Sequence, residues 1–315
     1  MGSGLTLSVK AFGSASYLTA AVSSSDPPTC FLFDNGSLRA AATLSLRELA
    51  QQLASTLRIP VRAVSLLHSS GVDPRELDGQ PAELLEPSLL NFARAGGRHA
   101  ILLPLFFGPS AALTEYLPAR VQAIRRQCPA LQVDSASWLV REDDDSTPEV
   151  AEMLAEAVRA VHRAHALKSP HVILTDHGSP QPAVTAVRDS LGAQLRAKLG
   201  PSVADVRVAS MERRPGEQYR FNEPLLAEAL RRPELSTADV IIALQFLQSG
   251  RHAGPAGDIA GICREAQQVR PAQRTYLTEP LVTNPRLLRL LQRRFQQALK
   301  SVASARSVPP PTHTA

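Results

Sequence analysis

The chain has 315 residues, a length that suits two average domains or one large one. Hydrophobic residues make up 44% of the chain and charged residues 20%, which is typical of a soluble globular protein. The net charge of +5 fits an anionic ligand. It does not by itself indicate nucleic-acid binding, and the sequence has no aromatic–basic RNA-binding signature, so we expect no nucleic-acid partner.

The three cysteines, Cys30, Cys128 and Cys263, lie far apart and form no CxxC pair, which predicts reduced thiols in a cytoplasmic protein. No apolar run reaches the ~18 residues of a membrane span, so we expect no membrane partner. Residues 1–26 are rich in Ser and Ala and lack Arg. They predict a disordered extension, with a transit peptide for an organellar stroma as the alternative. Residues 303–315 predict a disordered tail.

The chain contains two halves with similar patterns. CFLFDNGSLRAAATLSLRELAQQL in the first half and HVILTDHGSPQPAVTAVRDSLGAQL in the second both predict a strand, a turn and a helix, and they share D-x-G-S. Two further pairs follow in the same order: LLEPSLLNFAR with FNEPLLAEALR, and HAILLPLFFGPS with DVIIALQFLQSG. The matching order and spacing indicate an internal duplication, with repeats over residues 27–150 and 151–302.

Apolar runs in the second half predict four strands, at residues 171–175, 204–211, 239–247 and 273–277. Helical spacing predicts two helices, residues 183–199, ended by Gly200, and residues 258–268, with Asp258 as the N-cap. This alternation predicts the α/β class, with one parallel sheet per half. Loops that follow parallel strands open on one edge of the sheet, so we expect His177, Glu212 and His252 to gather there.

The stretch FLQSGRHAGPAGDIAGI, residues 246–262, predicts a glycine-rich loop that carries Arg251 and His252. Glycines let a loop approach a ligand closely. A loop of this kind that opens a helix is also able to bind phosphate, but the stretch matches neither the Walker nor the dinucleotide pattern.

His177 and His252 follow two strands of the same predicted sheet, so they are able to converge. A single histidine is most often a hydrogen-bonded structural residue. In the first half, Asn35 replaces His177, and the stretch GPSAALTEYLP, residues 108–118, contains no histidine. This asymmetry predicts one working site and one silent copy.

Four segments together resemble the class II tetrapyrrole chelatases, and most closely the sirohydrochlorin chelatase family of CbiX/SirB type. They are the DHGS strand end, the Met211–Glu212 pair, the NEPLL segment and the GRHAGPAGDI loop. The resemblance covers roughly residues 28–300 as a fused double repeat and is strongest in the second half. It implies two chelatase-like, flavodoxin-like half-domains and a lyase that inserts Co²⁺ or Fe²⁺ into sirohydrochlorin for cobalamin or sirohaem synthesis. The first repeat departs from the family, because it lacks both family histidines.

Metal insertion removes two pyrrole N–H protons from the macrocycle. A neutral imidazole is able to ligate a borderline metal and to accept a proton near neutral pH. We therefore predict His177 and His252 as catalytic residues and metal ligands, with Glu212 as a third ligand or a proton exit. The alternative is that Glu212 is a solvated surface residue. We expect no permanent cofactor, since Co²⁺, Fe²⁺ or Ni²⁺ is a substrate.

The resemblance implies a substrate with many carboxylates, and guanidinium groups pair well with carboxylates. Of the nearby arginines, Arg213, Arg214 and Arg220 are expected on a solvated face. We predict that Ser179, Gly250 and Arg251 contact the tetrapyrrole.

The remaining histidines are interpreted as structural or surface residues: His68, His99, His162, His165, His171 and His313. His162 and His165 have a helical spacing that is able to bind metal, but no further ligand lies nearby in the sequence. The acidic run of residues 142–145 is expected to be a solvated linker between the repeats, with transient metal attraction as the alternative.

Two other functions compete with the chelatase hypothesis. One is a non-catalytic tetrapyrrole- or metal-binding protein of the same fold. The other is an α/β hydrolase or phosphoryl-transfer enzyme with His177 as nucleophile, which ranks last because the chain has no G-x-S-x-G elbow and no phosphate loop. Since a fused duplication is able to replace a homodimer, we expect a monomer.

Overall fold

The computed structural model describes residues 27–141 and 146–307. The extension predicted for residues 1–26, the acidic run of residues 142–145 and the last residues, 308–315, lie outside the described residues.

The first repeat forms a four-stranded parallel sheet with strand order β2-β1-β3-β4. Its elements are β1 (Thr29–Asp34), α1 (Ala40–Leu57), β2 (Val61–Ser65), α2 (Leu85–Arg94), β3 (His99–Pro104), α3 (Leu117–Gln127) and β4 (Gln132–Ser135). A π-helical turn, Ala112–Tyr116, leads into α3, and short 3₁₀ turns occur at Ser69–Gly71 and Pro74–Leu77.

The second repeat forms a matching parallel sheet with strand order β6-β5-β7-β8. Helix α4 (Ser146–Ala164) follows the first sheet, and the elements of the second repeat are β5 (His171–Asp176), α5 (Pro182–Leu199), β6 (Asp205–Ser210), α6 (Leu226–Ala229), β7 (Asp239–Leu244), α7 (Asp258–Val269), β8 (Arg274–Leu277) and α8 (Pro285–Ser307). Its 3₁₀ turns are Gly200–Ser202, Glu217–Asn222, Pro233–Leu235 and Leu281–Thr283.

The predicted α/β class, with two similar parallel sheets, is confirmed. The largest error in strand length is in β7, which ends at Leu244 and not at residue 247. The N-cap of α7 is Gly257, so the prediction of Asp258 as N-cap is wrong, and Asp258 lies in the first helical turn. Helix α8 continues to Ser307, five residues into the predicted disordered tail. No helix among the described residues is long and apolar enough to span a membrane.

Strand β1 is buried on both faces, as a continuous apolar run in a parallel sheet requires. Its alternate residues therefore enter different cores: Cys30 and Leu32 face the core between the two sheets, whereas Phe31 and Phe33 face outward against α2 and α3. Helix α1 covers the inner face because Leu46, Leu49, Ala50 and Leu53 form one apolar stripe at helical spacing.

The two repeats exchange their last helices. Helix α4 follows the first sheet but packs against α5 and β7 of the second, whereas α8 follows the second sheet but packs against α1 and β3 of the first. Side chains from both sheets and from all four inner helices form one continuous core. Each fully buried Leu in this core contributes about 1.5–3 kcal/mol. We therefore expect the repeats to unfold together.

The ends of β1 and β5 have the same hydrogen-bonding pattern. The Ser65 hydroxyl donates to Asp34 Oδ1 at 2.6 Å, and the Ser210 hydroxyl donates to Asp176 Oδ1 at 2.6 Å. Burial raises the pKa of both Asp34 and Asp176, against the hydrogen bonds from their serines. The duplication therefore extends to individual buried side chains.

Candidate active site

The three predicted site residues meet at the carboxyl edge of the second sheet. His177 follows β5, Glu212 follows β6, and His252 lies in the loop between β7 and α7. His177 Nε2 lies 3.3 Å from Glu212 Oε1, and the ring centroids of His177 and His252 are 4.6 Å apart. The ring planes are inclined by 35°. The prediction that parallel strands bring these side chains together is confirmed, while their chemical roles stay predictions.

The His252 ring is oriented by Asp258. Its Nδ1 lies 2.7 Å from Asp258 Oδ2, on the first turn of α7. A neutral imidazole that donates through Nδ1 keeps Nε2 as its acceptor. A carboxylate behind a histidine in this way fixes the orientation of the ring and its tautomer. Asp258, which the sequence predicts only as a helix cap, thus contacts a residue of the candidate site.

Replacement of Asp258 by Asn is expected to lower the rate of metal insertion by about 10-fold or more, because an amide presents either its oxygen or its NH₂ group to Nδ1 and so no longer fixes the tautomer of His252. The rate is measured at fixed metal and tetrapyrrole concentrations. Glu265→Gln, an exposed carboxylate change on the same helix, serves as the control and is expected to keep the parental rate. A parental rate in Asp258→Asn would exclude this role.

His177 is held mainly in its neutral form. Burial and the neighbouring His252 lower its pKa below the ordinary value, and Glu212 and Asp176 oppose this shift. The side chain is nevertheless 49% exposed, so a substrate is able to reach it. A neutral, accessible imidazole is a suitable proton acceptor near neutral pH.

Two glycines allow the site loops to approach one another. Gly178 has φ +92°, and a Cβ there would lie 1.9 Å from the carbonyl oxygen of Glu212. A Cβ on Gly257 would lie 2.6 Å from the carbonyl oxygen of His252. Any larger residue at either position must therefore displace the backbone of a predicted site residue.

The residues predicted to contact the tetrapyrrole lie around this pair. The Ser179 hydroxyl accepts a hydrogen bond from Gln181 N–H at 3.0 Å. The Gly250 N–H donates to the Ala253 carbonyl within the β7–α7 loop. The Arg251 side chain is 74% exposed, with its Nε 3.6 Å from Asp258. Their contact with a substrate stays a prediction.

The arginines expected on a solvated face pair mostly within their own loop. Arg213 Nη2 lies 2.9 Å from Glu223, and Arg220 forms ion pairs with Glu217 and Glu223 at 3.1 and 3.3 Å. Arg214 is exposed. The exposed Arg220–Glu217 pair contributes little to stability, whereas Arg213 and Glu223 are half-buried, so the expectation of a solvated Arg213 is wrong.

The other described histidines have local partners or lie on the surface. His99 pairs with Asp134 at 2.8 Å, His162 Nε2 bonds to the Leu167 carbonyl at 2.6 Å, and His165 packs against Tyr276. His68 is exposed, and His171 is half-buried on β5. His313 lies outside the described residues. The spacing of His162 and His165 therefore reflects two separate structural contacts.

Within residues 27–141 and 146–307, no group of three or more His, Cys, Asp or Glu side chains is arranged to hold a metal ion. The three cysteines, all of them described, are unpaired. Burial raises the pKa of Cys263 to about 11, so this thiol stays protonated at neutral pH. The prediction of His177, His252 and Glu212 as a three-ligand set is untested.

The equivalent edge of the first sheet lacks this chemistry. Asn35 occupies the position of His177. Leu67 occupies the position of Glu212, since a Cβ on Gly36 would approach the Leu67 carbonyl oxygen just as a Cβ on Gly178 would approach the Glu212 carbonyl oxygen. Helices α3 and α7 end 142 positions apart, so Tyr116 in the first repeat occupies the position that Asp258 has in the second. The first repeat instead contacts the rim of the second, where Gln181 Nε2 donates to Glu115 at 3.1 Å.

Comparison with known proteins agrees with this architecture. The CbiX family model matches residues 171–298, the segment that carries all three predicted site residues. No curated protein sequence matches the chain.

Three solved structures share the fold over most of the chain. SirB from Bacillus subtilis with Fe³⁺ has a TM-score of 0.65 at 15% identity, covering 88% of this chain and 98% of its own. The sirohydrochlorin chelatase SirB from Bacillus subtilis subspecies spizizenii in complex with cobalt has a TM-score of 0.59 at 15% identity, covering 88% and 96%. CbiX, described as the terminal enzyme of sirohaem biosynthesis in denitrifying bacteria, has a TM-score of 0.54 at 14% identity, covering 86% and 99%. The second repeat is therefore similar to the CbiX family over residues 171–298, and the chain as a whole has the fold of the solved SirB and CbiX structures.

Proposed function

We propose that the chain is a sirohydrochlorin chelatase whose working site lies in the second repeat. The observation that carries the proposal is the pair of imidazoles with ring centroids 4.6 Å apart at the carboxyl edge of a sheet, with a carboxylate 3.3 Å from one of them. The solved structures of SirB with Fe³⁺ and of SirB in complex with cobalt support the same chemistry.

The insertion step exchanges one divalent cation for two pyrrole protons. The metal binds the four ring nitrogens, two N–H bonds break, and the two protons pass to bases on the protein. His252, which presents Nε2 when Asp258 holds its Nδ1, and the largely neutral His177 are the proposed ligands and acceptors. Glu212 is 63% exposed, so it provides an exit from which protons reach solvent. Arg251, on the same loop as His252, is proposed to bind a substrate carboxylate.

Imidazole nitrogen together with carboxylate oxygen suits Co²⁺, Fe²⁺ and Ni²⁺. The test therefore mixes the full chain with sirohydrochlorin and each metal in turn, without oxygen for Fe²⁺, and follows the absorbance change of metal insertion against a protein-free control. Acceleration with at least one metal is expected. A protein that shifts the tetrapyrrole spectrum but leaves the macrocycle metal-free would be the non-catalytic binding protein instead.

The rate of insertion is expected to fall at acid pH. A protonated imidazole can neither ligate metal nor accept a pyrrole proton, so the rate decreases as pH falls through the pKa of the His pair. Burial and His252 place the pKa of His177 below 6.5, and Glu212 opposes them. Glu212→Gln removes a charge that stabilises imidazolium, so the acid limb should move to lower pH.

This shift is measured as insertion rate against pH at saturating metal, corrected for titration of the substrate itself. Glu217→Gln, an exposed carboxylate change in the loop after β6, is the control. An acid limb that stays in place in Glu212→Gln would remove Glu212 from the electrostatics of the site. A parent without any acid limb would rule out the neutral-imidazole mechanism.

A further inference from the structure

Arg188 is a buried guanidinium beneath the candidate active site. It lies in α5 and is 1% exposed. Its Nη1 donates to Ser210 Oγ at 2.6 Å and to the Asn222 carbonyl at 2.9 Å, and lies 3.8 Å from Asp176 Oδ1. One side chain thus connects the end of β5, the end of β6 and the far end of the loop after β6.

Asn222 extends the connection to the loop after β5. This side chain is fully buried. Its Oδ1 accepts from Ser179 N–H at 2.9 Å and from Thr185 Oγ1 at 3.2 Å, and its Nδ2 donates to the Ser179 carbonyl at 2.9 Å. The backbone of Ser179 is therefore held on both sides by one amide.

His177 and Glu212 each lie between two residues that belong to this hydrogen-bond network. His177 is flanked by Asp176 and Ser179, and Glu212 lies in the segment that runs from Ser210 to Asn222. Arg188 and Asn222 hold all four flanking positions, whereas neither contacts the imidazole or the carboxylate itself. The network therefore connects the two backbone segments that carry His177 and Glu212.

The first repeat provides an internal comparison. Helices α1 and α5 have 18 residues each and begin 142 positions apart, so Leu46 occupies the position of Arg188. The Asp34–Ser65 hydrogen bond persists there without any guanidinium. A fully buried charge is costly, and the equivalent fold forms with a leucine. The fold of a repeat thus does not require an arginine at this position.

We propose that Arg188 is a positioning residue that holds His177 and Glu212 in register for metal insertion. This inference rests on the proposed chelatase function. In the first repeat, where Asn35 and Leu67 replace the two site residues, there is no such pair to position, and leucine suffices.

The test replaces Arg188 by Leu in the full chain and so reproduces the first-repeat arrangement. We expect kcat for metal insertion to fall by about 10- to 100-fold, with an unchanged KM for the tetrapyrrole, since small displacements of reacting groups have effects of this size. Arg294→Leu is the matched control: Arg294 is also buried, but it lies in α8 and donates to the Leu139 carbonyl. That variant should lose thermal stability yet keep the parental kcat.

Amide hydrogen exchange provides a readout that does not depend on turnover. In Arg188→Leu, exchange is expected to accelerate at Ser179 and Glu212, while the strands keep their protection. If the parent inserts no metal, the proposed function fails, and exchange at these amides alone decides whether Arg188 anchors the loops. Parental exchange in a folded Arg188→Leu protein would overturn the inference.

Two kinetic outcomes would also overturn it. One is a parental kcat in folded Arg188→Leu, and the other is an equal loss of kcat in Arg294→Leu, which would indicate a general effect of stability. Should Arg188→Leu fail to fold, Arg188→Lys keeps a positive charge beside Asp176 but lacks the guanidinium, whose Nη1 donates to Ser210 and Asn222 while its Nε and Nη2 pair with Asp189. That variant should have a kcat about 10-fold below the parent, and a parental kcat would contradict the proposal.

Discussion

His177→Ala and His252→Ala are each expected to lower the rate of metal insertion by about 100-fold or more, because each removes a proton acceptor and a metal ligand from a two-imidazole site. The fold should persist, since both residues lie in loops that follow strands and contribute little to the core. The measurements are insertion kinetics with Co²⁺ and Fe²⁺, together with thermal unfolding of each variant.

Asn35→Ala is the matched control, because Asn35 occupies the His177 position in the first repeat. It should insert metal at nearly the parental rate. Parental rates in both histidine variants would refute the site assignment. A large loss in Asn35→Ala with normal stability would show instead that the first repeat takes part in catalysis.

Gly178→Ala is expected to reduce both stability and activity. A φ of +92° is strained for alanine, and its Cβ would lie 1.9 Å from the Glu212 carbonyl oxygen, so the backbone must move. We expect a loss of about 1–3 kcal/mol in the free energy of unfolding. Because Gly178 joins His177 to Ser179 and abuts Glu212, the shift should also lower the insertion rate by about 100-fold.

Gly36→Ala separates these two effects. Its φ is +94°, and its Cβ would lie 1.7 Å from the Leu67 carbonyl oxygen, so the strain is equivalent but lies in the first repeat. Urea unfolding should give similar losses for both variants, whereas the rate per folded molecule should fall only in Gly178→Ala. Equal rates per folded molecule would contradict a site-specific effect of Gly178.

The core shared by the fused repeats explains why the first repeat keeps its fold without the polar site residues at the edge of its sheet. The Asn35 and Leu67 side chains lie at the strand ends, whereas the core that joins the sheets is formed by residues such as Leu32, Leu46 and Leu174. Substitution at the edge thus leaves the shared core intact. The first repeat also contacts the second, since Glu115 accepts a hydrogen bond from Gln181 at the rim of the second-repeat site.

Much of the architecture follows from the sequence by itself. Apolar runs such as HVILT and the helical spacing of Leu191 and Leu195 predict the strands and helices, because burial of one face or both imposes these periods. The D-x-G-S pair and the matched spacings predict two equivalent sheets. The convergence of His177, Glu212 and His252 also follows, since parallel strands with right-handed crossovers place their carboxyl ends on one edge.

Only the tertiary structure reveals how the site is held. A helical register already places Arg188 on the stripe of Val184, Leu191 and Leu195, which is a signal that the charge is buried. Its acceptors, Ser210 and Asn222, lie 22 and 34 positions away, and no local pattern specifies them. The exchange of α4 and α8 between the sheets is equally absent from any sequence period. Periodicity reports which face of an element is buried, whereas the identity of the partner depends on how the whole chain closes around its core.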